Sequence, residues 1–331
     1  MKSDNSPAIE VANLTKRYAE VVAVNDISFQ VGNGELFGFL GPNGAGKTTT
    51  INMLTGLARL DAGTIKISDI DCTRNPKAAQ HLTGIVPDES NLYPELTGFD
   101  NLCFCAALYG ISKIERQNRA RELLETFSLS DAADRKFAGY SKGMKRKLTF
   151  AAGIIHHPPI LFLDEPTTGI DVASARQVRQ IIADLHQKGT TIFLTTHYIE
   201  EAERLCERIA FIVSGRIVRT DRTADLLKPV KGRNVLLLSI SKAEANLSEE
   251  MSSAFPDYQF QSTTSGQIRV ESAETINVGP LIRFLEEREV QVMEARRHLP
   301  SLEDIFVQVT GIEAELMRKD KEKAGGGGGN Q

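Results

Sequence analysis

The chain has 331 residues, 41% of them apolar and 25% charged, and a net charge of −4 at neutral pH. That composition is ordinary for a globular protein that buries a core without staples, and the slight acidic excess argues against nucleic acid as its main partner, since such domains carry a basic excess. No stretch approaches the ~18 apolar residues of a membrane span. The first ten residues, MKSDNSPAIE, lack the apolar run of a secretory signal, so the chain is expected in the cytosol with no direct membrane span. Length suggests about two domains at roughly 150 residues each. The four cysteines, Cys72, Cys103, Cys105 and Cys206, form neither a disulfide framework nor a zinc-ligand spacing and read as small hydrophobes.

Elements are predicted in chain order from apolar patterning. Val11 to Tyr18 and Val22 to Val31 read as strands, and after the turn Gly32-Asn33-Gly34 the run Leu36 to Leu40 reads as a buried strand. Gly41 to Gly46 is a glycine-rich loop, Lys47 to Leu57 a helix and Thr64 to Ile67 a strand. From Gly98 to about Arg135 the pattern turns helical, giving a helical insert at about 90–157. Pro158-Pro159 stops it before the apolar strand Ile160 to Leu163. A helix Asp171 to Gln187, a strand Thr191 to Thr195, a helix Tyr198 to Cys206 and a hairpin across Ser214-Gly215 follow. Strands alternating with helices predict a mostly parallel α/β core. Beyond a linker at Pro229 to Arg233, the order strand, helix, strand, strand, helix, strand predicts a small ferredoxin-like α+β domain. The domains expected are thus 1–228, 229–311 and a disordered Gly-rich tail, 312–331.

The strongest local motif is Gly41-Pro42-Asn43-Gly44-Ala45-Gly46-Lys47-Thr48, a full G-x(4)-G-K-[ST] between an apolar strand and a helix. The glycines let successive backbone N–H groups turn toward phosphate oxygens, and the helix N-terminus adds positive potential. Lys47 reaches the β- and γ-phosphates and the Thr48 hydroxyl ligates Mg²⁺; Thr49 belongs to the same nucleotide-binding set. The second motif, Ile160-Leu-Phe-Leu163-Asp164-Glu165, ends a buried strand in two carboxylates. Asp164 is the candidate Mg²⁺ ligand, through water, and Glu165 the candidate base that polarises the attacking water.

Between these motifs, Tyr140-Ser141-Lys142-Gly143-Met144-Lys145 resembles the signature sequence of ATP-binding cassette (ABC) proteins. With it the set falls into that family's order: P-loop, Q-loop region Pro87-Asp88-Glu89, signature, Walker B strand, D-loop Thr168 to Asp171 and switch histidine His197. The resemblance covers about residues 8 to 228, and residues 229 to 311 resemble the C-terminal extension of drug-, sodium- and antibiotic-exporter-like ATPase subunits. It implies a P-loop NTPase cassette with a mostly parallel core sheet, an antiparallel β part and a helical insert. It implies that ATP is sandwiched between two head-to-tail subunits and that a separate transmembrane permease is the partner, on the cytoplasmic face of the membrane. By matching positions, Tyr18 resembles the aromatic residue that stacks on adenine, and Ser141 and Gly143 the pair that contacts ATP held by the other subunit. His197 resembles the residue that bonds the γ-phosphate and orients Glu165. Asp171 resembles the interface aspartate and is also placed to cap the following helix. Ser141 is likewise an N-cap.

Two positions depart from the family pattern. Lys142 replaces the first signature glycine, and Asp88 stands where a glutamine is usual, as a third metal candidate; the register also admits Glu89 in that role. Lys142, Lys145, Arg146 and Lys147 read as a solvated basic face. A soluble ABC ATPase acting on ribosomes or DNA is the competing reading, and a nucleotide-binding module without turnover a third; the paired Asp164 and Glu165 argue against the latter. The C-terminal domain is expected to stabilise a dimer or gate it.

Overall fold

The computed structural model describes residues 6–227, 234–241, 247–262, 267–298 and 301–312. They fall into two compact units, one within Met1–Thr223 and Phe306–Gln331, the other within Ala224–Ile305. The sequence's linker at 229–233 and nearly all of its tail lie outside the described residues.

In the first unit, β1 (Ile9–Tyr18) and β2 (Val21–Val31) form an antiparallel hairpin that continues through β4 (Ala62–Ile67) to the short β5 (Ile70–Asp71). The second sheet is built around β3 (Leu36–Leu40), all five of whose residues are buried. Its order is β10-β9-β3-β8-β7-β6, with β6 at Thr83–Val86, β7 at Ile160–Asp164, β8 at Thr191–Thr196, β9 at Arg208–Val213 and β10 at Arg216–Arg222. Every neighbouring pair is parallel except β9 with β10. Burial on both faces explains why β3, β7 and β8 read as continuous apolar runs rather than alternations. Phe29 of β2 meets Phe37 and Phe193 at ring-centroid distances of 5.8 and 5.7 Å, so aromatic packing joins the two sheets. Such pairs add about 0.5–1.5 kcal/mol each beyond area burial.

Helix α1 (Lys47–Leu54) ends three residues earlier than expected. Gly56 takes a left-handed conformation at φ +76° and its N–H bonds to Met53 O, which terminates the helix. The insert comprises α2 (Gly98–Leu108), α3 (Lys113–Thr126) and α4 (Lys142–Ile154), each capped by a hydroxyl side chain: Thr97, Ser112 and Ser141. Gly110, at φ +75°, separates the first two. The strand β6 is not among the elements expected from the sequence. Four residues including a glycine give no readable period, and Gly84 is needed because a Cβ there would lie 2.3 Å from Gly153 O. Helices α5 (Val172–Gln187) and α6 (Ile199–Leu205) flank β8. The loops that matter leave the C-terminal ends of β3, β6, β7 and β8, the edge where parallel sheets bind ligands.

After α7 (Thr223–Leu226), the second unit runs β11 (Asn234–Ile240), α8 (Leu247–Ala254), β12 (Gln259–Ser262), β13 (Gln267–Ser272), α9 (Val278–Glu286) and β14 (Val292–His298). Its sheet order is β12-β13-β11-β14, antiparallel throughout, the strand order of a split β-α-β motif. Leu236, Leu238, Met251, Ile268, Val270, Leu281 and Leu285 form its core. In α10 (Leu302–Thr310), Asp304 and Ser301 cap each other reciprocally. The division between the units falls inside this helix, and Phe306, part of the first unit, packs edge-on against Phe211 of the same unit at 5.6 Å.

Candidate functional site

The glycine-rich loop is held by contacts that dictate its glycines. Gly46 sits at φ +104°, and a Cβ on it would lie 2.4 Å from Ala23 O. One on Gly41 would lie 2.2 Å from Ile212 O. Gly41 N donates to Thr196 O and Gly215 N to Ala45 O, so β8 and the β9–β10 turn brace the loop. A cavity of about 450 Å³ opens beside it, lined by Asn43, Gly44, Gly46, Lys47, Thr48 and Thr49 together with Val21, Val22, Ala23, Asp88, Glu165 and Ser214. A somewhat larger cleft, about 540 Å³, lies near Gly34, Glu35 and Arg208. There Arg208 and Glu35 are already paired at 2.9 Å, and none of the motif residues lines it.

Behind the loop, Lys47, Glu165 and His197 form one buried group. Lys47 Nζ donates to Gly41 O at 2.8 Å and to Pro42 O at 3.1 Å. It also faces Glu165 Oε1 at 3.1 Å, a charge contact off the hydrogen-bond line. Glu165 Oε2 lies 2.6 Å from His197 Nδ1 and accepts from Thr168 Oγ1 at 3.0 Å. Burial pushes the Glu165 carboxyl up, but the His197 hydrogen bond and the Lys47 charge outweigh it and hold it below its ordinary value. The Glu165 backbone is itself left-handed, at φ +49°, an uncommon conformation for a non-glycine residue. Asp164, buried at the end of β7, accepts from Thr195 Oγ1 at 2.5 Å and does not line the cavity.

At Pro87-Asp88-Glu89, Asp88 lines the cavity and Glu89 does not. Burial pushes the Asp88 carboxyl up, and the charge of Arg146 partly offsets this. Arg146 corrects the expectation of a solvated basic face: it is only 5% exposed. Nε donates to Pro166 O at 2.7 Å, Nη2 to Asp164 O and Glu165 O at 2.9 Å each, and Nη1 to Asp88 O at 2.8 Å and to Pro87 O. The helical period places Arg146 on the face of buried Gly143, Thr149 and Phe150 of α4, a signal that singles it out. Glu201 was not singled out either. It is buried on α6, where Thr167 Oγ1 and Thr196 Oγ1 donate to its two oxygens at 2.7 and 2.8 Å. It thereby ties the loop after β7 to the end of β8.

The remaining predicted residues lie apart from the cavity. Ser141 caps α4 by accepting from Met144 N at 3.3 Å. Gly143 packs so closely on the start of α5 that a Cβ would sit 2.6 Å from Ser174 Oγ. Asp171 caps α5, accepting from Ser174 N at 2.9 Å and Ser174 Oγ at 2.7 Å. Tyr18, at the end of β1, is 48% exposed, with Lys16 Nζ 5.2 Å from its ring centre. It does not line the cavity; Val21 to Ala23, just beyond the turn, do. All four cysteines are free thiols, Cys72 and Cys206 buried.

Comparison with known proteins gives three findings. The ABC transporter family profile matches residues 24–168. The daunorubicin resistance ATP-binding protein DrrA2 of Streptomyces coeruleorubidus is 36% identical over 311 residues, covering 93% of this chain and 96% of that protein. The Nod factor export ATP-binding protein I of Burkholderia orbicola (strain AU 1054) is 36% identical over 312 residues, covering 93% and 98%. Among solved structures, a dimeric ATP-binding cassette in a post-hydrolysis state bound to ADP and Pi superposes with a TM-score of 0.61 at 26% identity, over 65% of this chain and 98% of that one.

Proposed function

The chain belongs to the ABC transporter family, and from that premise we propose that it is the ATP-hydrolysing subunit of an exporter whose membrane span is supplied by a separate permease. The observation that carries this reading is Glu165, held between Lys47 and His197 at the wall of the P-loop cavity. A base must stand where the attacking water meets the γ-phosphate, and a carboxylate kept ionised by two cationic or donor neighbours meets that need. The loop amides and Lys47 bind the phosphates, and Lys47 offsets the charge that develops on the transferred group. His197 orients Glu165.

Mg²⁺ fits the donor set. Thr48, Asp88 and Asp164 offer only hard oxygens, as Mg²⁺ prefers. Among the described residues no three His, Cys, Asp or Glu side chains form a cage of their own, which suits a cation that shares its shell with substrate phosphates and water. When bound, the ion would neutralise phosphate charge. Thr48, Asp164 and Asp88 are the residues assigned to hold it.

Two copies would act head to tail. Ser141 and Gly143, away from their own chain's cavity at the N-terminus of α4, support a role on the nucleotide of the opposite subunit, and the dimeric cassette among similar structures supports the same assembly. Tyr18 remains the candidate for adenine stacking. No helix of the described residues is long and apolar enough to cross a membrane. Phe104 and Leu108, one turn apart on α2 and both exposed, continue an apolar surface through Tyr93, whose ring meets Phe104 at 5.0 Å; this surface suits a permease helix at the cytoplasmic face. The domain division proposed is a cassette to about 228 followed by an accessory domain that stabilises the dimer or gates it. Truncation at 229 tests that role, with Phe306→Ala in the full chain as the control for the loss of its contact to Phe211.

The deciding experiment is phosphate release by the purified chain with ATP and Mg²⁺, compared with Glu165→Gln, alongside co-purification with a candidate permease. Turnover that survives Glu165→Gln, or no turnover by the wild-type dimer in complex with that permease, overturns the reading.

A further inference from the structure

Arg146 presents five N–H groups, and five main-chain carbonyls receive them: Pro87, Asp88, Asp164, Glu165 and Pro166. These carbonyls come from two loops that do not otherwise share a strand. One pair follows the end of β6 and carries Asp88 to the cavity; the other three run from the last residue of β7, Asp164, through Glu165 and Pro166. The guanidinium itself rides on α4, whose first turn holds Ser141 and Gly143. A planar fork with five donors is needed to span such a cage; a lysine ammonium has three donors and no fork.

The bond to Glu165 O matters most. Glu165 occupies the left-handed region at φ +49°, which non-glycine residues leave unless their surroundings over-determine it. Arg146 grips the carbonyls on both sides of that α-carbon's peptide units, those of Asp164 and Glu165, while Thr195 O and Thr168 N hold Glu165 N and O from other directions. In that conformation the carboxylate reaches Lys47 and His197 together.

We propose that Arg146 is a positioning residue: it fixes Glu165 in the conformation that aims its carboxylate at the P-loop cavity, and it links that carboxylate and the Asp88 loop mechanically to α4. The proposal rests on the reading of Glu165 as the base. A shift of α4, whose N-terminus is the part addressed to a second subunit's nucleotide, therefore displaces the base and the Asp88 loop together. Misplacement of a reacting group by about 1 Å can cost on the order of a hundredfold in rate.

The test uses the full-length chain and four variants: Arg146→Lys, Arg146→Gln, Glu165→Gln, and Arg146→Lys combined with Glu165→Gln. ATP affinity is measured by equilibrium binding, turnover by phosphate release, and folding by thermal melting. Arg146→Lys and Arg146→Gln should each lower kcat by about tenfold to a hundredfold while ATP affinity stays within about threefold, a split that simple loss of folded protein does not produce. The double variant should turn over no more slowly than Glu165→Gln alone, because Arg146 acts through that residue. Unchanged kcat in Arg146→Lys overturns the proposal, as does a multiplicative loss in the double variant. Loss of cooperative melting in both Arg146 variants also overturns it, in favour of a purely structural role. A Glu165→Gln variant as fast as the wild type would instead remove the base assignment, and the proposal with it.

Discussion

Lys47 Nζ stands 3.1 Å from Glu165 Oε1, so the lysine of the glycine-rich loop and the candidate base share one charge contact. Both side chains are almost fully buried, at 5% and 8% exposure. A buried charge without a partner is costly, and the Lys47 charge is one of the contacts that hold the Glu165 carboxyl below its ordinary value. Phosphate oxygens at the loop would compete with Glu165 for the Lys47 charge.

Glu165→Gln tests that competition directly. The amide keeps the shape but cannot take a proton, and phosphate release should fall by about 10²–10⁴-fold. ATP binding should be retained or tightened, because Lys47 loses its competing carboxylate. Equilibrium ATP titration and phosphate release together check this; weaker ATP binding would contradict the geometry described.

Gly46→Ala probes the loop. The position needs φ +104°, and the added methyl would press on Ala23 O, a backbone atom that cannot swing away. The strain and clash should cost about 1–3 kcal/mol in denaturant unfolding, and ATP binding should be lost. A variant with wild-type stability and affinity would show that the loop does not need this backbone.

Glu201 gives a pH prediction. Burial pushes its carboxyl above the ordinary value of 4.5, against the lowering effect of the Thr167 and Thr196 hydrogen bonds. Above 4.5 the unfolded chain therefore releases this proton while the folded chain still holds it. The folded state binds more protons, so this group's contribution to stability falls as pH rises from the ordinary value through the raised one. Glu201→Gln should abolish that fall. Stability of the wild type relative to this variant, followed by urea unfolding, should decline across that window and level off above it. Glu201→Ala should cost about 1–3 kcal/mol by orphaning two buried hydroxyls.

Asp88→Gln tests the unusual carboxylate in the cavity wall. A neutral amide is a weaker ligand for a hard cation than a carboxylate. The Mg²⁺ concentration for half-maximal turnover should rise several-fold, on the order of the 1–2 kcal/mol expected for one charge-assisted contact. An unchanged Mg²⁺ dependence and rate would exclude Asp88 as a ligand.

Much of the site was legible before the fold. Lys47, Thr48, Asp164 and Glu165 follow from local context and His197 from the family resemblance alone; the fold gathers Lys47, Glu165 and His197 within hydrogen-bond or ion-pair range. Ser141 and Asp171 were named as helix caps and are helix caps. Arg146 was misread. A run of four basic residues looks solvated when read by charge alone; the helical period marks Arg146 as facing inward, but only the fold shows that carbonyls from residues 87–88 and 164–166 converge on it. Glu201 is hidden for a related reason: Thr196 is five residues away at the end of β8, but Thr167 comes from the loop after β7, 34 residues away.

The sequence by itself determined the elements and the chemical inventory. Strands buried on both faces must be continuously apolar, glycines are required where a Cβ would strike backbone, and a hydroxyl or carboxylate before a helix caps it; each rule is written within a few residues. Tertiary structure alone decided which charges are buried and what satisfies them. The burial of Arg146, the conformation of Glu165 and its pairing with Lys47 depend on groups far apart in the chain, and desolvation is a property of the space those groups enclose rather than of any one segment.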